Sequence, residues 1–198
     1  MLLLSLFWPL LFIITLAKAM AVAGRCRLPR LVAFDLDGTV WSPDMYELWG
    51  GGSPFTVDSS SRNELRDRKG ARIHLLGAID SILHELHTDP LWAETRVAWV
   101  SCTDEPIWAA ECLRLFNTTG GTPIGQVVHS EQIFKANKKV HFERLKKQYP
   151  DIAFEQMLFF DNERGNINNV EQLGVKCVYC PEGMTSDVWK RGLAMFDK

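Results

Sequence analysis

The chain has 198 residues, 46% hydrophobic and 23% charged, with a formal net charge of −2 and a pI near 6.2. That length builds one globular domain with a full core and leaves little room for a second large one. The charge balance excludes a nucleic-acid binder that works through a broad basic surface, although local basic stretches stand at 62–72 and 135–147.

The first 23 residues stand apart. Residues 2–17 are almost unbroken apolar sequence, followed by Ala17-Lys18-Ala19 and Ala21-Val22-Ala23, which match small-residue cleavage sites. A run of about 16 residues is short for a membrane span. Three accounts stand: a signal-like segment, a retained anchor, or an upstream extension with initiation at Met20. The folded domain is expected over 30–198, in a cytoplasmic monomer, with the secretory pathway or a membrane anchor through 2–17 as the alternative. Asn117-Thr118-Thr119 is a glycosylation acceptor that matters only on the secretory route. Five cysteines, Cys26, Cys102, Cys112, Cys177 and Cys180, form no disulfide framework, and Cys177-x-x-Cys180 lacks the second pair that a zinc site needs.

Leu31 to Phe34 reads as a buried strand. It runs into Asp35-Leu36-Asp37-Gly38-Thr39-Val40, and alternation along a strand sends Asp35 and Asp37 to the same side, about 7 Å apart. Gly38 permits a sharp turn that leaves backbone N–H groups free for an anion. A calcium loop would need a Glu at its twelfth position, where this chain has Tyr46. Residues 42–72, rich in Pro, Gly and Ser and then basic, read as a small insertion outside the core. A helix is predicted over 77–88, a strand over 96–100 ending at Ser101, and a helix over 105–116 with Pro106 in its first turn. A short strand over Val127 to His129 follows, then an amphipathic helix over 138–149. A buried strand over 157–160, a helix over 163–173 closed by Gly174, a strand over 175–179 and a last helix over 185–196 complete the chain. Strands alternating with helices specify an α/β fold, a parallel sheet covered on both faces, whose ligands bind outside the carboxyl ends of the strands.

Those carboxyl ends carry a consistent chemistry. The first offers Asp35 and Asp37, the second Ser101, Cys102 and Thr103, and the later one Asp161-Asn162-Glu163, with Lys138 opening the helix between them. An acid pair, a hydroxyl, a lysine and an acid-amide pair make a set for magnesium-dependent phosphoryl transfer. Asp35 is the candidate nucleophile and Asp37 the candidate general acid and base. Ser101, Cys102 and Lys138 are candidates for holding phosphate oxygens. Mg²⁺ would take the Asp35 carboxylate, the Asp37 backbone carbonyl and an oxygen from Asp161 or Asn162.

Phe34-Asp-Leu-Asp-Gly-Thr-Val40, Ser101, Lys138 and Phe160-Asp-Asn162 resemble, in order and interval, the motifs of the haloacid dehalogenase superfamily. Over roughly 30–196, Asp35 to Trp41, Arg66 to Gly70, His141 to Leu145, Phe159 to Glu163 and Leu173 to Cys177 resemble more closely the magnesium-dependent phosphatase-1 family. The resemblance implies a three-layer Rossmann-like fold with a minimal cap or none, required Mg²⁺, an aspartyl-phosphate intermediate on Asp35, and the site roles given above. Its substrates would be aryl or tyrosine phosphates, or phosphorylated sugar adducts on amines, carried by a small molecule or a phosphoprotein. Many members have two consecutive acids where this chain has Asp161-Asn162, which predicts weaker metal affinity without loss of activity. A catalytically weak phosphate-binding module and a phosphotransferase are the alternatives. The site is expected to be open, bordered by Trp41, Trp49 and Arg66 to Arg72.

Overall fold

The computed structural model describes residues 28–58, 61 and 63–197, so the apolar segment and Cys26 lie outside the described residues. Its centre is a five-stranded parallel sheet of β1 (Leu31–Phe34), β6 (Arg96–Ser101), β7 (Ser130–Ile133), β8 (Met157–Asp161) and β9 (Lys176–Tyr179). The spatial order is β7-β6-β1-β8-β9, with every neighbouring pair parallel.

Strand alternation divides the core. Val32 and Phe34 of β1, Val97 and Trp99 of β6, and Leu158 and Phe160 of β8 face one side. There they meet α1 (Ile79–Thr88) through Ile82 and Leu83, α2 (Pro106–Leu115) through Cys112 and Leu113, and α5 (Ser186–Ala194) through Val188 and Trp189. Leu31, Ala33, Ala98, Val100, Met157 and Phe159 face the other, against Phe142 and Leu145 of α3 (Lys138–Gln148) and Ile167 and Val170 of α4 (Arg164–Glu171). The three-layer α/β expectation holds. Aromatic rings fill the first face: Phe34 stacks on Phe160 at 5.4 Å between centroids, and Trp189 packs on Phe160 at 5.7 Å.

The chain builds β1, then β6 and β7 outward on one side, then crosses back to lay β8 and β9 on the other. Beside β1, successive connections leave in opposite directions and a crevice opens at the carboxyl edge, the place where such sheets bind ligands. The carboxyl ends of β6, β1 and β8 stand side by side there.

Two readings of the sequence need correction. The strand expected over Val127 to His129 lies at Ser130–Ile133, because Val127 caps a 3-10 turn over Ile124–Gln126 and packs into the core. Pairing with β6 alone, this edge strand has no reason to carry an apolar run. The insertion is no appendage either. It folds as a four-stranded antiparallel sheet in the order β2 (Trp41–Ser42), β5 (Arg72–Leu75), β4 (Glu64–Arg66), β3 (Thr56–Val57). Its Met45, Leu48, Phe55, Leu65 and Ile73 belong to the first core cluster. Strands of two to four residues show no legible periodicity.

Asp67 holds this small sheet together. One carboxylate oxygen accepts the Gly52 N–H at 2.9 Å, and the other accepts those of Lys69 at 2.8 Å and Ala71 at 2.7 Å. Burial pushes its pKa up, but the backbone donors of Gly52, Ala71, Lys69 and Gly70 outweigh it and hold the group below its ordinary value. A depressed folded pKa contributes stability that is present above the ordinary carboxylate range and is lost as pH falls through the folded value. Asp67→Ala should therefore lower the unfolding free energy by about 1–3 kcal/mol at neutral pH. The difference between the two proteins in urea titrations should begin to shrink below about pH 4, where the unfolded carboxyl takes up its proton, and continue to shrink as pH falls through the lower folded value.

Candidate active site

β1 hydrogen bonds to β8 through the Asp35 N–H, which donates to the Phe160 carbonyl at 2.9 Å, so Asp35 leaves the sheet at a fixed height. The chain then turns sharply: the Val40 N–H reaches the Leu36 carbonyl at 2.7 Å and the Gly38 N–H the Trp41 carbonyl at 2.9 Å. Gly38 has φ +68°, and a Cβ there would collide with the Asn162 amide, so the turn requires glycine on both counts.

Asp35, Asp37, Ser101, Cys102 and Asn162, all singled out from sequence, line one pocket of about 300 Å³. Asp44, Tyr46, Thr103, Asp104, Lys135, Glu163 and Asn166 complete its wall. Lys138 and Asp161 stand behind that wall, wholly buried. The Lys138 ammonium contacts Asp35 Oδ1, lies 3.4 Å from Asp161 Oδ2, and donates to the Val100 carbonyl. Burial works against its charge, but Asp35 and Asp161 more than compensate and hold its pKa above the usual lysine value.

Asp161 is fully engaged. Its Oδ1 accepts the Glu163 N–H at 2.7 Å, and the Asn166 amide donates to Oδ1 at 3.2 Å and to Oδ2 at 3.0 Å. Burial and then Asp35 push its pKa up, with Lys138 opposing. Asn162 instead faces the pocket. Its N–H donates to Thr39 Oγ1 at 3.0 Å, while the single Thr39 hydroxyl hydrogen has Asn162 Oδ1 and Asp35 Oδ2 each 3.3 Å away. Ser101 Oγ accepts the Thr103 N–H at 3.2 Å, so it caps the loop while lining the pocket.

Asp37 Oδ1 accepts the Trp41 indole N–H at 2.7 Å and the Met45 N–H at 3.3 Å. Burial and then the neighbouring Asp35 charge raise its pKa to about 7, against the pull of those two donors. An acid that titrates near neutrality is suited to give and take protons. Asp44 is pushed to about 6 by burial and by Glu47, Asp35 and Glu163.

A model of the Acid Phosphatase family matches residues 27–198. The chain belongs to that family. It is 36% identical to human magnesium-dependent phosphatase 1, over 87% of this chain and 89% of the human one. Among solved structures it resembles a phosphatase domain from the N-terminal part of a Bacteroides fragilis protein, solved with Mg. That match has TM-score 0.58 and 17% identity, over 93% of this chain and 44% of the other. It also resembles CbbY of Rhodobacter sphaeroides, solved with phosphate, with TM-score 0.56 and 15% identity over 86% of this chain and 100% of the other. Identities this low speak to the fold alone. The family and the human relative supply the class: this is a magnesium-dependent phosphatase.

The donor chemistry of the pocket fits Mg²⁺. Asp35 and Asn162 offer hard side-chain oxygens on one wall, and the carboxylate crowding that lifts Asp37 is an excess of negative charge. Among the described residues no three His, Cys, Asp or Glu side chains form a preformed cage. Mg²⁺ needs none, since it keeps several waters and uses few protein oxygens.

The expected border of the site is corrected. Trp41 is buried and stacks on Phe116 at 6.1 Å between centroids, while Trp49, 84% exposed, does not line the pocket. The basic stretch is spent inside the insertion: Arg66 pairs with Asp58 and Glu64, Arg72 with Glu64, and Arg68 donates to the Gly50 carbonyl. Sequence reasoning assigned no role to Thr39, Asn166, Asp44 or Tyr46. Thr39 directly follows the Asp-x-Asp-Gly run and Asn166 lies one helical turn beyond Asn162, so adjacency pointed to both. Nothing local marked Asp44 and Tyr46, which the insertion carries to the pocket. His141, quoted only as part of a family motif, sets one ring nitrogen 2.9 Å from the Phe134 carbonyl and 3.1 Å from that of Ser101, bracing the loop behind the pocket. Asn117 is half-buried with its amide donating to the Leu115 carbonyl at 2.9 Å. Cys177 and Cys180 are buried, free thiols.

Lys138→Met keeps the aliphatic stem and strands two buried carboxylates. In chelator at neutral pH, denaturant titration should show a loss of about 3–5 kcal/mol of stability.

Proposed function

We propose that this phosphatase hydrolyses phosphate monoesters in two steps through a phosphate ester of the Asp35 carboxylate. The observation that carries the reading is the pairing of two acids in different surroundings on one wall: Asp35 against a buried ammonium, and Asp37, whose pKa burial and Asp35 raise to about 7. A carboxylate oxygen set against an ammonium can act as the nucleophile at phosphorus. A carboxyl with a pKa near 7 carries a proton often enough to protonate the departing oxygen, and afterwards takes one from the water that releases phosphate.

Ser101 and Cys102, which line the pocket, would hold the non-bridging oxygens, and the Lys138 ammonium contacts the Asp35 carboxylate from behind. Thr39 reaches Asp35 and Asn162 together and so holds the β1 turn against the β8 end. Asp35, the Asp37 carbonyl and Asn162 would hold Mg²⁺, which when bound neutralises the negative groups that otherwise repel an anionic substrate. Asp161, with both oxygens occupied by Asn166, Glu163 and Lys138, serves behind them as the anchor of the lysine.

The substrate class we infer is a phosphorylated small molecule or phosphoprotein, either an aryl phosphate such as phosphotyrosine or a phosphorylated sugar adduct on an amine. The pocket supports either, being open on the side of exposed Tyr46 and of Lys135, which pairs with Asp104 at 3.1 Å.

Asp35→Asn should abolish turnover of para-nitrophenyl phosphate, and Asp37→Asn should reduce it about 10²–10⁴-fold. Acid quenching of the wild-type enzyme during turnover should trap hydroxylamine-labile phosphate on the peptide containing Asp35. No trapped phosphate in burst-quench experiments would overturn the two-step route.

Asn162→Asp adds one negative charge at the metal site, and affinity in such sites rises with ligand charge. A magnesium titration of the rate should show half-activation at a lower concentration in Asn162→Asp than in the wild type.

A further inference from the structure

We propose that Trp41 is a positioning residue for proton transfer, its indole N–H selecting which oxygen of Asp37 carries the catalytic proton. The inference rests on the reading of Asp37 as general acid and base.

Asp37 Oδ1 receives two N–H donors, the Trp41 indole at 2.7 Å and the Met45 backbone at 3.3 Å. An N–H group only donates, so a proton placed on that same oxygen would face two others head-on. The carboxyl proton is therefore confined to Oδ2, and rotation about the carboxyl bond is opposed by the shorter of the two contacts. A mobile carboxyl becomes a directed acid.

The indole is itself held on several sides. Trp41 is wholly buried, its ring stacks on Phe116, its carbonyl accepts the Gly38 N–H at 2.9 Å, and its strand pairs with Leu75 of β5. Phe116 follows α2 and belongs, with Trp41, to the core cluster on that face of the central sheet. The N–H thus comes from the core and not from a mobile rim. The Met45 donor, longer and at the start of the 3-10 turn Met45–Glu47, is the weaker restraint.

Such a role has a signature that loss of packing does not. As the P–O bond breaks, an alkyl leaving oxygen needs the Asp37 proton, whereas para-nitrophenolate leaves as a stable anion. The first step governs kcat/KM, so a misdirected acid penalises alkyl phosphates selectively.

The test is Trp41→Phe, which keeps an aromatic ring against Phe116 and removes the donor. Its kcat/KM for an alkyl phosphate such as glycerol 2-phosphate should fall about 10–100-fold further than that for para-nitrophenyl phosphate. Competitive inhibition by inorganic phosphate should stay at the wild-type constant. Equal losses on both substrates, or none on either, would overturn the proposal. Should Trp41→Phe fail to fold, benzothienylalanine introduced at position 41 preserves the bicyclic shape and deletes only the N–H, and the same ratio decides. Asp35→Asn run alongside separates the two claims. Residual turnover there overturns the two-step reading, whereas an inactive Asp35→Asn with no selectivity in the position-41 variant overturns this inference alone.

Discussion

The Lys138 ammonium, fully buried between Asp35 and Asp161, is the contact on which the site depends. An ion removed from water costs several kcal/mol, and an attraction inside the protein offsets that only when geometry is good and the remaining donors and acceptors are met. Here they are met: Val100 accepts from the ammonium, Asn166 and Glu163 donate to Asp161, and Thr39 lies within reach of Asp35. The carbonyl of β6, the carboxylates at the ends of β1 and β8, and the first residue of α3 are drawn to one point. One cation against two anions leaves the pocket negative, a state a hard divalent ion relieves.

The insertion completes what the central sheet begins. β2 sets Trp41 beneath Asp37, and the turn after it brings Asp44 and Tyr46 to the pocket wall. Asp67, holding the backbone of Gly52, Lys69 and Ala71, keeps this small sheet in shape without a large core of its own. A segment of this size thereby serves as one wall of the pocket and leaves the mouth open, with Tyr46 exposed at its edge.

Much of this was legible beforehand, for identifiable reasons. The buried strands β1, β6, β8 and β9 showed as apolar runs because both faces of a parallel sheet are covered. The candidate site residues stood out because such a sheet gathers its chemistry at strand ends, so Asp35, Ser101 and Asp161 could be read off as the residues where each run stops. The edge strand β7 was misplaced because half-exposed Ser130-Glu-Gln-Ile133 carries no such run. The insertion strands were missed because runs of two to four residues show no periodicity, and because β2 finds its partner far along the chain, Trp41 against Leu75.

The sequence by itself determined the α/β alternation, the Asp35–Asp37 pair with its glycine turn, and the set of groups that phosphoryl transfer requires. These follow from local periodicity and short-range geometry, which neighbouring residues specify among themselves. Only the tertiary structure decided that Lys138 and Asp161 stand behind the wall while Asn162 faces the pocket. It alone placed the Trp41 N–H on Asp37 and raised that acid towards neutrality. Burial and the distance between charges depend on the packed fold, which brings Asp35 and Lys138 together from 103 positions apart and buries Trp41 and Asp37, four positions apart, in the orientation that joins them; no local pattern encodes this.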